Sequence, residues 1–223
     1  MNLAQQVARK LLQINAIKLS PQKPFVWASG LKSPIYCDNR TVLSYPEIRR
    51  FIIDAFAEGA RQFEPFDMVA GVATAGIAHG ALLAERLDLP FIYVRSKPKG
   101  HGRQNQIEGI LPTGKKVLVI EDLISTGGSC LGAVEALREA GATVTGVLAI
   151  FSYGFDRAAA AFAKAECPFD TLSDYETLLR EAVAESYISE REQNILHQWR
   201  QSPEKWSAAA GKFTRPEQSE GGD

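Results

Sequence analysis

The sequence predicts an α/β fold, an open parallel sheet flanked by helices, with a small N-terminal hood. Two observations predict it. From Asp67 onward, apolar runs rich in β-branched residues (DMVAGV, FIYVR, KKVLVIED and TVTGVLAIF) read as strands buried on both faces. Between them lie helical stretches, IAHGALLAERL and SCLGAVEALREAG, and such alternation implies a parallel sheet covered by helices. Composition fits. The chain has 223 residues, 45% hydrophobic and 23% charged, enough for a sizeable core. With 25 Lys+Arg against 26 Asp+Glu, it lacks the basic excess of a general nucleic-acid binder. No run approaches about 20 apolar residues, so no membrane span is expected. The first twenty residues lack the continuous apolar core of a signal peptide. Cys37, Cys130 and Cys167 show no metal spacing and read as free thiols in a reducing cytoplasm.

Taken in order, Leu3, Val7, Leu11 and Ile14 recur at helical spacing, predicting an amphipathic helix over 2–15. FVWASG and SPIYCDN are short β-prone runs around Ser29-Gly30-Leu31-Lys32 and predict the hood. Ser44 as N-cap, Pro46 in the first turn and Glu47 closing a capping box predict a second helix through IRRFIIDAFAEGARQF. After the sheet strands come an Ala-rich helix beyond residue 155, one opened by Ser173 with Glu176, and one opened by Ser189 with Glu192. The expected division is an N-terminal helix and hood (1–45), an α/β core with C-terminal helices (46–200) and a frayed polar tail (201–223).

The chemistry concentrates in the loops that follow strands, where open α/β sheets bind ligands. VLVIEDLISTGGS (117–129) places Glu121 and Asp122 at a strand tip, then Ser125, Thr126, Gly127, Gly128 and Ser129 at a helix entry. Glycines let the backbone curl with its N–H groups inward, the helix start adds partial positive charge, and hydroxyls add donors. Together these suit a phosphate dianion. Two acids beside such a cradle need something between them; ribose hydroxyls and a divalent cation both serve. The inferred ligand is a phosphorylated sugar with Mg²⁺. The segment is neither a Walker A loop nor a dinucleotide fingerprint.

GVATAGIAHG (71–80) repeats the strand–turn–helix arrangement with small residues. Gly71, Ala73, Ala75 and Gly76 suit either close approach to a second anion or tight strand–helix packing, and His79 reads as a packed histidine. Between Arg95 and Lys115 lies a connection of about twenty residues, unusually long for a compact domain. Its basic residues Arg95, Lys97, Lys99 and Arg103, with His101, carry no acid among them and read as a lid over an anionic ligand.

These residues resemble the type I phosphoribosyltransferases, whose signature is a strand, two acids and a Ser/Thr-Gly loop. SGLKSPIYCDNR (29–40), GVATAGIAHG and VRSKPKGHGRQNQIEG (94–109) are similar to the orotate-using branch. The resemblance spans roughly residues 3–185 and implies the type I fold. It also implies transfer of a 5-phosphoribosyl group from phosphoribosyl diphosphate to orotate, giving orotidine 5′-monophosphate and diphosphate. Another base phosphoribosyltransferase or a non-catalytic phosphoribosyl-diphosphate sensor is the alternative. The resemblance implies Lys99, His101 and Asp122 as catalytic, with Mg²⁺ held mainly by substrate. Glu121 and Asp122 would take the ribose hydroxyls and Ser125 to Ser129 (Ser125, Thr126, Gly127, Gly128, Ser129) the 5′-phosphate, with Leu123 and Ile124 also among the substrate-binding residues. Ser125 and Tyr36 would meet the pyrimidine. Ala73, Thr74 and Ala75 would bind diphosphate around a cis Ala73–Thr74 peptide. Arg95, Lys99 and His101 would contact the diphosphate, reaching in from the neighbouring subunit of a homodimer, with Lys97 also substrate-binding. The chain carries Ser96, Ala75 and Ala28 where many members are basic, and Arg157 is the candidate for the orotate carboxylate. No nucleic-acid or membrane partner is expected.

Overall fold

Asn2 caps the first helix, α1 (Leu3–Gln13): its side chain accepts from Gln5 N–H while the Gln5 side chain reaches back to Asn2 N–H. The computed structural model describes residues 1–27, 29–96 and 106–213. After α1 come β1 (Ile17–Leu19), β2 (Phe25–Val26), β3 (Lys32–Ser33) and β4 (Ile35–Cys37). β2 pairs with β3 and β4 with β1, both antiparallel, so the hood consists of two small two-stranded sheets. A 3₁₀ turn (Asn39–Ser44) leads into α2 (Pro46–Ala60). Ser44 therefore lies inside a turn instead of capping α2, whose N-cap is Tyr45 with no side-chain bond. Pro46 at the first helical position supplies the start.

The main sheet follows: β5 (Met68–Val72), α3 (Ala75–Leu87), β6 (Phe91–Val94), β7 (Ile107–Glu108), β8 (Lys116–Ile124), α4 (Gly128–Glu139), β9 (Thr143–Ser152), α5 (Asp156–Lys164) and β10 (Phe169–Asp174). Its six strands run in the order β10-β9-β8-β5-β6-β7, parallel except for β7. α6 (Tyr175–Ala184), α7 (Glu190–Gln201) and α8 (Pro203–Phe213) complete the chain. The sequence reading omitted β1, β7 and β10. It also placed an α6 cap at Ser173, but Asp174 accepts the Thr177 N–H at 2.9 Å. Ser173 instead donates to the Ala4 carbonyl of α1. The tail expected to fray from 201 contains α8, whose Trp206 packs on the core.

Side-chain alternation sorts the strands between two cores. On β8, Leu118 and Ile120 join Leu11, Ile52, Phe56 and Leu83 from α1, α2 and α3. Val117 and Val119 join Val134, Leu137, Ala158 and Phe162 from α4 and α5. Burial on both sides explains why residues 117–120 of β8 read as an unbroken apolar run. α1 was grouped with the hood, yet it packs against β10 and α6, and Arg9 pairs with Glu181 there. The chain leaves β5 through α3 toward β6 on one side and returns to β8 on the other. The carboxyl ends of β5 and β8 thus diverge at the switch point of strand order, where a crevice for ligands forms.

Candidate active site

At the β8 side of that crevice the strand continues two residues past the acid pair, to Ile124. Glu121 is buried, and its carboxylate accepts from Asp122 N–H (3.0 Å) and from the Ser129 hydroxyl (3.2 Å), with the Cys130 thiol at 3.7 Å. Ser129, expected as a phosphate donor, thus spends its hydroxyl holding Glu121 against the first turn of α4. Asp122 is half-buried and more open. Burial raises both carboxyl pKa values, Glu121 further because the Asp122 charge stands beside it, while Arg40 from the hood works in the opposite direction on Asp122. Ser125 and Thr126 follow, and α4 starts at Gly128. Gly127 adopts φ +82°, the left-handed conformation glycine tolerates, and curls the chain into the helix N-terminus. The Ile124 side chain is buried in the α4-side core and Leu123 packs on the opposite core; both residues pair with β9, and the Ile124 carbonyl accepts the Tyr153 N–H at 3.3 Å.

Across the crevice, the β5–α3 turn has a cis Ala73–Thr74 peptide, as the family resemblance implied. Ala73 N–H is taken by the Val94 carbonyl at 2.8 Å, so the open donors here belong to the first turn of α3. Gly76 lets that turn close on β8: a Cβ there would lie 2.5 Å from the Ile120 carbonyl oxygen. Of the two readings of the small residues, tight packing is thereby visible at Gly76. His79 is fully buried one turn on. Its ring nitrogens have no hydrogen-bond partner among the described residues, and burial pushes its pKa down to about 4.

The hood closes the third side. Tyr36 is partly exposed and its ring stands 5.7 Å from that of Phe25. Asn39 Nδ2 donates to the Asp122 carbonyl at 2.7 Å, fastening the hood turn to β8, and Arg40 is held bidentately by Asp38. Tyr153, at the end of β9, is buried with its hydroxyl within electrostatic reach of Cys37, Asp122 and Tyr36. Asn39 and Arg40 belong to the hood motif, whereas only the fold brings Tyr153 onto Trp27 of the hood, 5.8 Å away. Arg95 stands at the root of the long connection, its N–H bonded to the Gln106 carbonyl and its guanidinium 3.4 Å from Glu108 on β7. Lys97, Lys99, His101 and Arg103 lie outside the described residues. Arg157, the candidate for the orotate carboxylate, pairs with Glu204 of α8 at 3.3 Å.

Residues 40–181, which carry the whole crevice except the hood, match the Phosphoribosyl transferase domain. Orotate phosphoribosyltransferase from Bacillus caldolyticus is 55% identical over 203 residues, covering 91% of this chain and 98% of that protein. The Listeria monocytogenes enzyme of the same name is 51% identical over 207 residues, 92% of this chain and 99% of that protein. The chain belongs to the orotate phosphoribosyltransferases. The solved structure of the Aeropyrum pernix orotate phosphoribosyltransferase superposes with a TM-score of 0.70 at 32% identity, covering 78% of this chain and 97% of that one. In this orotate phosphoribosyltransferase, Glu121 and Asp122 lie near the end of β8 beside the close-packed first turn of α3, Ser125 and Thr126 follow the strand, and Asn39 of the hood turn bonds to the Asp122 carbonyl. Its orotate phosphoribosyltransferase relatives match along almost their full length, and orotate phosphoribosyltransferases are pentosyltransferases.

Proposed function

We propose that this crevice transfers the 5-phosphoribosyl group of phosphoribosyl diphosphate to orotate. The cradle of Ser125, Thr126, Gly127 and Gly128 takes the 5′-phosphate at the α4 N-terminus, and Asp122 with Glu121 takes the ribose hydroxyls. The first turn of α3 takes the diphosphate, and orotate lies under Tyr36. The single observation that carries this reading is the juxtaposition of a buried acid pair with a Gly127-curled helix start at the switch point. The orotate ring nitrogen displaces diphosphate at ribose C1, so positive charge grows on the sugar as negative charge grows on the leaving group. Lys99, His101 and Lys97, with Arg95 at the loop root, stabilise that leaving charge where it appears. Closure of the loop keeps water from the sugar cation.

Mg²⁺ suits the donor set: the half-buried Asp122 carboxylate stands near the end of β8 beside Glu121, whose own oxygens are taken by Asp122 N–H and the Ser129 hydroxyl. An ion carried by substrate oxygens and approached by Asp122 fits such a site. When bound it neutralises charge on the diphosphate. The basic loop acts on the crevice of a second copy in a homodimer. No helix among the described residues is long and apolar enough to cross a membrane, and the free thiols suit the cytoplasm.

Loss of orotate absorbance in the presence of phosphoribosyl diphosphate and Mg²⁺ tests the reading. Orotate should be consumed and adenine, guanine and uracil should not; consumption of a purine in its place would overturn it. Lys99→Ala should lower kcat by about a hundredfold or more while the melting temperature stays unchanged. An unaltered turnover number would remove the loop from the mechanism.

A further inference from the structure

We infer that α7 and α8 form a clamp that sets the hood over the base side of the crevice, with Trp199 and Ser207 as positioning residues. The need for a clamp follows from the hood itself. It consists of two-stranded pairs, and an isolated two-stranded hairpin is marginal in water. Trp199 of α7 is fully buried and meets Trp27 of the hood edge-on at 5.7 Å. The same indole contacts Tyr153 and Phe155 beyond β9 and Tyr175 of α6, each at 5.7 Å. Trp27 in turn stacks on Tyr153 at 5.8 Å and donates its indole N–H to the Ile35 carbonyl at 3.2 Å, one residue before Tyr36. Further along, the Ser207 hydroxyl of α8 accepts the Lys32 N–H of β3 at 2.8 Å. The core side of the clamp is fixed by the buried Tyr175 hydroxyl on the Leu196 carbonyl (3.0 Å) and by Arg200 on Glu176 (2.8 Å).

The clamp reaches Tyr36 but not the phosphate cradle. Ser125 to Gly127 form the turn after β8 and Gly128 and Ser129 open α4; Gly127 lies against Phe162, which belongs with Val119 and Val134 to the core opposite that of Trp199. Loosening α7–α8 therefore acts on the base and spares phosphoribosyl diphosphate. This inference rests on the proposed placement of orotate under Tyr36.

The test compares Trp199→Ala, Trp199→Phe and Ser207→Ala in the full-length enzyme, reading KM for orotate and, by calorimetry, Kd for phosphoribosyl diphosphate. Trp199→Ala should raise the orotate KM by about tenfold or more and Ser207→Ala by about threefold, with the diphosphate Kd within about twofold of wild type. Trp199→Phe should restore the orotate KM. It keeps a ring in the cluster and removes an indole N–H that is buried without a partner among the described residues. Should Trp199→Ala fail to fold, Ser207→Ala decides alone. An unchanged orotate KM, or a parallel loss of phosphoribosyl diphosphate affinity, overturns the clamp. Tyr36→Ala separates the two claims: an unchanged orotate KM there removes the base placement itself. A raised KM there with normal Trp199 and Ser207 variants removes only the clamp.

Discussion

Glu121 and Asp122 set two neighbouring carboxyls where burial disfavours their charged forms. Both carboxyls are raised by burial, so the folded chain holds protons more tightly than the unfolded one. Their contribution to stability is complete below the ordinary carboxylate range and is lost as pH rises through the raised values. His79 acts with the opposite sign. Burial lowers its pKa to about 4, so its contribution is complete above the ordinary imidazole range and is lost as pH falls through that depressed value. The ligand-free protein should therefore lose stability toward both alkaline and acid pH. Glu121→Gln should outlast wild type by roughly 2–4 °C in melting temperature near pH 9; equal melting curves there would contradict the raised carboxyl. Asp122→Asn should weaken phosphoribosyl diphosphate binding by about ten- to a hundredfold, since hydrogen bonds to a charged group are each worth about 1.5–3 kcal/mol. Calorimetry with Mg²⁺ present reads the change directly. At this scale the sequence already displayed the acids and the hydroxyls, because adjacency along the chain is adjacency in space on a strand and its turn. It could not display that Ser129 would turn toward Glu121, which depends on where the first turn of α4 sets down.

Among the elements, β8 with α4 and β5 with α3 carry the site because each strand hands directly to a helix whose start faces the crevice. The seat of α3 is tight. Gly76→Ala would push a methyl group against the Ile120 carbonyl, 2.5 Å away, and should cost about 1–3 kcal/mol of stability, seen as a lower urea midpoint at unchanged slope. Little change in midpoint would mean that α3 can slide. Asn39→Ala removes the bond that ties the hood turn to the Asp122 carbonyl and should cost about 1–3 kcal/mol, partly by leaving that carbonyl unpaired. The apolar strands were legible because burial on both faces writes a continuous run. β1, β7 and β10 were not. β1 and β7 span three and two residues, too short for a period to register. β10, with sequence FDTLSD, mixes polar residues into an edge position and reads as a loop before a helix. Ser44 looked like a cap for want of any sign that the chain would first make a 3₁₀ turn through it.

For the molecule as a whole, the order β10-β9-β8-β5-β6-β7 matters more than any single strand, since it opens the crevice between β5 and β8. The parallel architecture was readable from alternation alone, but the partnership of the hood with the C-terminal helices was not. Lys32 and Ser207 are joined across most of the chain, and no local pattern announces such a pair. The proposed sharing of the basic loop between copies belongs to this scale. Mixing Lys99→Ala with Asp122→Asn subunits and allowing exchange should restore roughly a quarter of wild-type activity, because half the random dimers carry one undamaged crevice. No recovery after verified exchange would confine the loop to its own subunit. The bond from Ser207 to Lys32 has a consequence during synthesis. The early-made β3 meets its α8 partner only after one of the last-made helices has left the ribosome, so the hood is the last part of the fold to be held.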